Sequence, residues 1–282
     1  MTRHSDVVRS YGDSIPPGLL ASIEDVGYKA AELFDRRDMQ RTIKADSTLQ
    51  TSIDTACERN IIEILQSVSL PAPILAEEDA CSKEIEHGVK HSFFWSVDPI
   101  DGTSRLGAGF ERSWAVSVGA VLHGVPTIGI VALPKEDLLY ATPNIGGSVS
   151  VGNGVAYDHA LLGLTLGAAV AKNPFYWEFN RCLIEEFGSM VSEPSVQSGI
   201  DFISGRTRLF VACNSNHWDL CAIAALALEQ GAVVRHCDGT QIDWSPRRTK
   251  FAPVVFSRTK DDALRVTRLY FDAYEYIHPH DK

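Results

Sequence analysis

Residues 95–104 read Trp-Ser-Val-Asp-Pro-Ile-Asp-Gly-Thr-Ser, and this stretch places two carboxylates and a small hydroxyl residue around one tight turn after an apolar strand. Its first residues and the two phenylalanines before them are apolar, which predicts a buried strand that Pro99 and Gly102 end in a tight turn. Asp98 and Asp101 therefore lie at the end of a strand, three positions apart, where their charges repel each other unless a cation lies between them. Mg²⁺ takes oxygen ligands from one or two carboxylates and leaves its other positions to water and phosphate.

The same turn can bind an anion. If Gly102, Thr103 and Ser104 open a helical turn, their backbone N–H groups face a common point and favour a phosphate there. Taken alone, the five residues from Asp98 to Gly102 are equally compatible with a simple Asx-type turn. The rest of the chain distinguishes between these two interpretations.

Acidic residues end or begin predicted elements at three further places. Glu77 and Glu78 follow a short apolar stretch, and Asp219 lies in the first turn of a long apolar helix. A second helix is predicted to begin near Thr51, which places Asp54 in its first turn. Asp54 also fits a plain role as a favourable acid at a helix N-terminus. Carboxylates at several separate element ends are what a metal site with several oxygen ligands requires.

The chain resembles the inositol monophosphatase family of Mg²⁺-dependent, lithium-sensitive phosphatases. The resemblance covers about residues 20–275, in family order, and its motifs are Thr51-Ser52-Ile53-Asp54, Glu77-Glu78, Asp98-Pro99-Ile100-Asp101-Gly102-Thr103 and Trp218-Asp219. It implies a layered α-β-α-β-α sandwich with α+β and α/β halves, and a homodimer.

The resemblance also implies roles for individual residues. A first Mg²⁺ would be held by Glu77, Asp98 and the carbonyl of Ile100. A second would be held by Asp98, Asp101 and Asp219. Glu78 would be a nearby catalytic carboxylate that either supports the metal ligands or binds a third metal ion, and Thr103, polarised by Asp54, would hydrogen-bond the metal-bound water. The phosphate would lie against the N–H groups of Gly102, Thr103 and Ser104.

The chemistry agrees with these roles. A phosphate monoester repels the attacking water by its negative charge, and two cations about 3.5–4 Å apart neutralise that charge and generate hydroxide. No protein nucleophile is needed. The sequence therefore predicts a phosphomonoesterase that acts on a small metabolite, such as an inositol, cyclitol or sugar phosphate.

The substrate half of the site departs from the family pattern. Arg105 stands where histidinol-phosphate and nucleotide-type members carry a Lys, and it is either a substrate contact or a solvated loop residue. Ungapped counting back from Asp219 places Ala212 where inositol-specific members carry a ring-binding Glu. His217 is expected beside the pocket. Histidinol phosphate and a 3′-nucleotide remain alternative substrates, the nucleotide disfavoured because the loop before Trp218 lacks a basic residue. A noncatalytic regulatory homologue is the alternative of another class.

The composition limits the class of protein and the partners that it can bind. With 282 residues, 45% of them hydrophobic and 22% charged, the chain resembles an ordinary globular protein. A net charge of −10 argues against nucleic-acid or anionic-membrane binding. The polar start, the lack of a span of ~20 apolar residues and six scattered cysteines predict a cytoplasmic protein with reduced thiols.

The order of predicted elements divides the chain in two. A glycine-rich stretch at residues 146–154 separates an N-terminal α+β half, residues 1–155, from a C-terminal α/β half, residues 156–282. Strands are predicted at 114–122, 127–132, 138–141, 161–171, 209–212 and 232–235. Helices are predicted at 21–39, from about 51 onward, at 175–187 and at 218–230.

Overall fold

The computed structural model describes residues 18–36, 39–44, 49–67, 72–78, 92–103, 114–146, 162–165, 172–188, 190–247 and 249–279. The helices in these ranges are α1 (Leu19–Asp35), α2 (Ser52–Ser67), a 3-10 turn (Pro143–Ile145), α3 (Pro174–Phe187), α4 (Ser195–Ile203), α5 (His217–Glu229) and α6 (Lys260–Ile277). Within the same ranges no helix is both long enough and apolar enough to cross a membrane.

The strands form a hairpin and two five-stranded sheets. The hairpin pairs β1 (Arg41–Ile43) with β2 (Leu49–Thr51). The first sheet, in spatial order, consists of β3 (Ile74–Ala76), β4 (Phe93–Asp101), β5 (Ala115–Leu122), β6 (Val125–Leu133) and β7 (Leu138–Ala141). The second has the order β11 (Val233–His236), β12 (Val254–Ser257), β10 (Leu209–Ala212), β8 (Leu162–Leu164) and β9 (Met190–Val191).

Alternation along the strands produces the layers, because successive side chains point to opposite faces of a sheet. On β4, Trp95 and Val97 pack in the core shared with α1 and α2. Phe94 belongs to a second core that contains α4, α5 and one face of the second sheet. The other face of that sheet packs against α3 and α6. The predicted α-β-α-β-α sandwich is confirmed.

Helix α5 lies directly on the first sheet, and two glycines permit this approach. A Cβ on Gly119 would lie 2.7 Å from the backbone nitrogen of Ala222, and one on Gly129 would lie 2.3 Å from the carbonyl oxygen of Ala222. Real Cβ atoms essentially never come so close to backbone atoms, so any larger residue would force the helix away. The close contact fixes the height of the α5 N-terminus above the end of β4.

Most predicted elements are present, with ends shifted by a few residues. The predicted strand at 161–171 is seen as β8 (Leu162–Leu164), and residues 166–171 lie outside the described ranges. The boundary between the two halves also falls mostly outside them. Helix α4 was not predicted: it is short and every one of its residues is buried, although Val196, Ile200 and Ile203 lie at helical spacing.

Candidate metal and phosphate site

Three aspartates meet where β4 ends and α5 begins. Asp98 and Asp101 lie on β4, Asp219 lies in the first turn of α5, and one carboxylate oxygen from each is within 4.8 Å of the others. We call these three residues the aspartate group. Asp219 lies more than 100 positions after Asp98 and Asp101 in the sequence, and the packing of α5 on the sheet brings it to them.

The turn at the end of β4 fixes two of the three. The backbone N–H of Ile100 donates to Asp98 Oδ1 over 3.0 Å, and the strand register shifts between Asp98 and Asp101. Asp101 Oδ2 accepts a 2.8 Å hydrogen bond from the backbone N–H of Val196, in the first turn of α4. The N-terminal end of a helix is a favourable place for a carboxylate. No sequence pattern indicated Val196, because α4 was not predicted.

Asp219 is fixed by a reciprocal cap. The N–H of Asn216, which precedes α5, donates to Asp219 Oδ2 over 2.7 Å, and the Asn216 side chain accepts from the backbone of the third helical residue. This capping box satisfies two N–H groups that the helix end would otherwise leave unpaired. It also leaves the Asp219 carboxylate with a fixed orientation.

Burial and like charges perturb the aspartate group. Burial raises the pKa of Asp98 well above its ordinary value, and repulsion from Glu77, Asp101 and Asp219 raises it further. Burial and repulsion from Asp101 raise the pKa of Asp219 in the same way. The folded chain thus concentrates carboxylates where a bound cation would relieve the repulsion. An all-oxygen donor set of this kind suits a hard divalent ion such as Mg²⁺.

Glu77 and Glu78, which we call the glutamate pair, follow β3 and lie beside Lys44, next to the end of β1. The Lys44 ammonium is 2.9 Å from Glu77 Oε1 and 2.8 Å from Glu78 Oε1. Burial nevertheless raises the pKa of Glu78 to about 7. The charge of Glu77 helps to raise the pKa of Asp98, so the pair adjoins the aspartate group.

Two residues that the sequence analysis did not single out support the glutamate pair. Glu58, buried on α2, accepts a 2.6 Å hydrogen bond from the backbone N–H of Glu78. Gln50 donates to the Glu78 carboxylate. Glu58 lies four residues after Asp54, on the same face of α2, and that spacing was the available signal.

Thr103 and Asp54 form a buried hydrogen-bonded pair. Thr103 Oγ1 lies 2.6 Å from Asp54 Oδ1 and 2.9 Å from the carbonyl oxygen of Ile100, so Asp54 is the nearer acceptor for its proton. The backbone N–H of Thr51 donates to Asp54 Oδ2 over 2.9 Å. Burial raises the pKa of Asp54, and these hydrogen bonds oppose part of that shift. Gly102, just before Thr103, has φ +98°, which favours glycine.

Two expectations about the substrate half need correction. His217 is fully buried, and its two ring nitrogens lie 2.9 Å from Ser96 Oγ and 3.3 Å from the Trp244 carbonyl oxygen, so neither nitrogen is left for a substrate. Ala212 is also fully buried, pairs with Val254 in the sheet and packs in the apolar core, so it offers no substrate contact. Counting without gaps cannot detect which way a strand residue points.

Ser104 and Arg105 lie outside the described residues. Their expected roles, phosphate binding for Ser104 and a substrate contact for Arg105, stay predictions. The structure describes Gly102 and Thr103, the first two residues of the predicted phosphate turn.

Comparison with known proteins agrees with this geometry. A model of the inositol monophosphatase family matches residues 20–266. An inositol-1-monophosphatase from Synechocystis sp. is 26% identical over 236 residues, covering 80% of each chain. The 3′(2′),5′-bisphosphate nucleotidase CysQ of Escherichia coli is 25% identical over 236 residues, covering 81% of this chain and 93% of CysQ.

A solved structure shares the fold. The crystal structure of an IMPase/NADP phosphatase complexed with Mg²⁺ and phosphate superposes with a TM-score of 0.66 at 18% identity, covering 84% of this chain and 90% of that one. The family match spans far more than half of the 282 residues. The chain therefore belongs to the inositol monophosphatase family, and with it to the phosphomonoester hydrolases.

Proposed function

We propose that this protein is a Mg²⁺-dependent phosphomonoesterase of a small metabolite. The observation that carries the proposal is the aspartate group, whose three carboxylates lie within 4.8 Å of one another in buried surroundings. A purely structural cluster of this kind would destabilise the fold, because its buried carboxylates repel one another and no cation offsets the repulsion. A catalytic metal site requires it.

The residues for the metals are those that the family resemblance implies. One ion would be held by Glu77, Asp98 and the Ile100 carbonyl, and a second by Asp98, Asp101 and Asp219. Bound Mg²⁺ would neutralise phosphate charge and lower the pKa of water. Asp98 is central to both sets, and its raised pKa reflects the charge that gathers there without a cation. Glu78 would stabilise the arrangement through the Lys44 ammonium rather than act as a direct ligand.

Thr103 and Asp54 would orient the attacking water. The Thr103 hydroxyl donates its hydrogen bond to Asp54. The lone pairs of Oγ1 are then available to accept a hydrogen bond from the water. Asp54 accepts from Thr51 as well, so its own position is fixed. The backbone N–H groups of Gly102 and Thr103, continued by Ser104, would hold the phosphate.

The substrate class is a small phosphate monoester, such as an inositol, cyclitol or sugar phosphate. Histidinol phosphate and a 3′-phosphorylated nucleotide are the alternatives, and relatives named for an inositol phosphatase and for a nucleotidase are about equally similar to the chain. A noncatalytic regulatory homologue is disfavoured, since the carboxylates of all the proposed ligands are retained.

Phosphate release tests the proposal. The purified protein is incubated with myo-inositol 1-phosphate, a sugar phosphate, histidinol phosphate and a nucleoside 3′,5′-bisphosphate, with Mg²⁺ or with a chelator. We expect release from at least one ester only when Mg²⁺ is present. Lithium should inhibit at millimolar concentration, with potassium as the ionic-strength control. No release from any ester with Mg²⁺ would contradict the proposal.

Compartment and assembly complete the proposal. The six cysteines, scattered without a Cys-x-x-Cys pair, support a cytoplasmic enzyme. Family resemblance supports a homodimer, which light scattering coupled to size-exclusion chromatography would test directly.

A further inference from the structure

His217 connects three parts of the fold. It is the first residue of α5, and its ring lies between β4 and the segment that precedes β12. Nδ1 is 2.9 Å from the Ser96 hydroxyl on β4, and Nε2 is 3.3 Å from the Trp244 carbonyl oxygen. Its backbone N–H donates to the carbonyl of Thr249 over 2.8 Å.

These partners determine where the ring proton lies. A carbonyl oxygen has no proton to give, so Nε2 must carry the proton and donate to Trp244. In a neutral ring the lone pair is then on Nδ1, which accepts from the Ser96 hydroxyl. His217 therefore joins the strand to the loop in a single tautomer and a single orientation.

Aromatic neighbours prevent the ring from turning. Its centroid lies 5.4 Å from that of Phe94, and 5.6 Å from those of Trp244 and Phe251. Both His217 and Ser96 are fully buried, so water does not compete for these hydrogen bonds. A buried polar bridge with every partner satisfied specifies one arrangement of the elements that it joins.

The Ser96–His217 hydrogen bond joins β4 and α5 at residues that each lie two positions before a member of the aspartate group. Ser96 precedes Asp98 by two residues on β4, so both side chains point to the same face of the sheet. His217 precedes Asp219 by two residues on α5. The Ser96–His217 bond thus connects the strand and the helix immediately before the two carboxylates.

We infer that His217 is a positioning residue, which holds the carboxylates of Asp98 and Asp219 at the separation that a divalent cation requires. The inference rests on the proposed function, because that function assigns the two carboxylates to metal binding. A displacement of about 0.5 Å is enough to impair a site of this kind. His217 touches neither the ion nor the substrate, and acts through Ser96 and the helix end.

Four variants separate positioning from packing. His217→Phe keeps an aromatic ring in the aromatic enclosure but removes both hydrogen bonds, whereas His217→Gln keeps one donor and one acceptor. Ser96→Ala removes the partner of Nδ1 alone, and serves if His217→Phe fails to fold. Leu183→Ala, fully buried in the core between the second sheet and α3, is the matched destabilising control.

The measurement is calorimetric titration of each metal-free protein with Mg²⁺, together with its Tm. We expect His217→Phe to weaken Mg²⁺ binding by about 10- to 100-fold, the usual range for residues that orient metal ligands. Ser96→Ala should weaken Mg²⁺ binding less than His217→Phe does. The double variant, His217→Phe with Ser96→Ala, should bind Mg²⁺ no more weakly than His217→Phe alone. His217→Gln should retain most of the wild-type affinity. Nitrogen NMR of the wild type should show an unprotonated Nδ1.

The possible outcomes are distinct. If His217→Phe and Ser96→Ala bind Mg²⁺ as tightly as Leu183→Ala does, or if Nδ1 is protonated, the inference is overturned while the proposed function stands. Mg²⁺ binding that depends on His217, in a protein that releases no phosphate, would overturn the function alone. A wild type that does not bind Mg²⁺ would overturn both.

Discussion

The aspartate group and the glutamate pair are neighbouring sets of carboxylates whose negative charges are offset in different ways. The glutamate pair receives an ammonium from Lys44, whereas Asp98 and Asp219 accept hydrogen bonds from backbone N–H groups. Among the described residues, neither of these two aspartates forms an ion pair. The chain thus supplies one ammonium that the two glutamates share, whereas backbone hydrogen bonds offset the charges of Asp98 and Asp219, which a cation from solution would neutralise further.

Removing the central carboxylate tests this difference most strongly. Asp98→Asn should lower phosphate release by about 10³-fold or more, because several kcal/mol of charge stabilisation depend on the metals. The metal-free variant should melt at the same temperature as the wild type or higher, since it loses a buried, repelled charge.

A buried carboxylate outside the site provides the control. Asp262 forms a bidentate pair with Arg208, and hydrogen bonds from Arg208 keep its pKa below the ordinary value despite its burial. Asp262→Asn should lower the Tm and leave phosphate release per folded molecule unchanged. Full activity in Asp98→Asn would refute the assignment of the aspartate group.

The hydroxyl beside the aspartate group should have the next largest effect. Thr103→Ala removes the group proposed to orient water, so kcat should fall by about 10²-fold with little change in KM. Thr103→Ser keeps the hydroxyl and should retain most of the activity. Equal kcat values for Thr103→Ala and the wild type would show that the bond to Asp54 is only structural.

Substitution of Lys44 tests how its ammonium affects the glutamate pair. If its ammonium competes with Mg²⁺ for Glu77, Lys44→Met should tighten Mg²⁺ binding by about 3- to 10-fold, the equivalent of about 1 kcal/mol. The metal-free Tm should fall, because the glutamate pair would then repel. Lys135→Met is the control, because it breaks an ion pair with Asp35, which belongs to neither the glutamate pair nor the aspartate group. Weaker Mg²⁺ binding in Lys44→Met would instead show that Lys44 supports the metal site.

The smallest expected effect is a pH dependence. The folded pKa of Glu78, about 7, is above its unfolded value near 4.3. Its contribution to the unfolding free energy is therefore most favourable below about pH 4.3 and is lost as the pH rises through 7. With a chelator present, the Tm of Glu78→Gln minus that of the wild type should increase from pH 5 to pH 8, by about 5 °C. A difference that stays constant or shrinks would contradict this sign.

The sequence by itself determined the features that depend on near neighbours. The turn from Asp98 to Thr103 is local, because Pro99 and Gly102 restrict the backbone wherever the chain goes. The first turn of α2, with Asp54, and that of α5, with Asp219, are local for the same reason: helix ends need acceptors for unpaired N–H groups. The motif spacing was also sufficient to recognise the family.

Only the tertiary structure decided which distant groups meet. Lys44 reaches the glutamate pair through a hairpin, and Val196 reaches Asp101 through the short helix α4. His217 seemed to be a pocket residue until the packing of β4 against α5 showed that both its nitrogens are occupied. Such contacts depend on how separate elements pack, and a pair such as Ser96 and His217, 121 positions apart, carries no local signal of it.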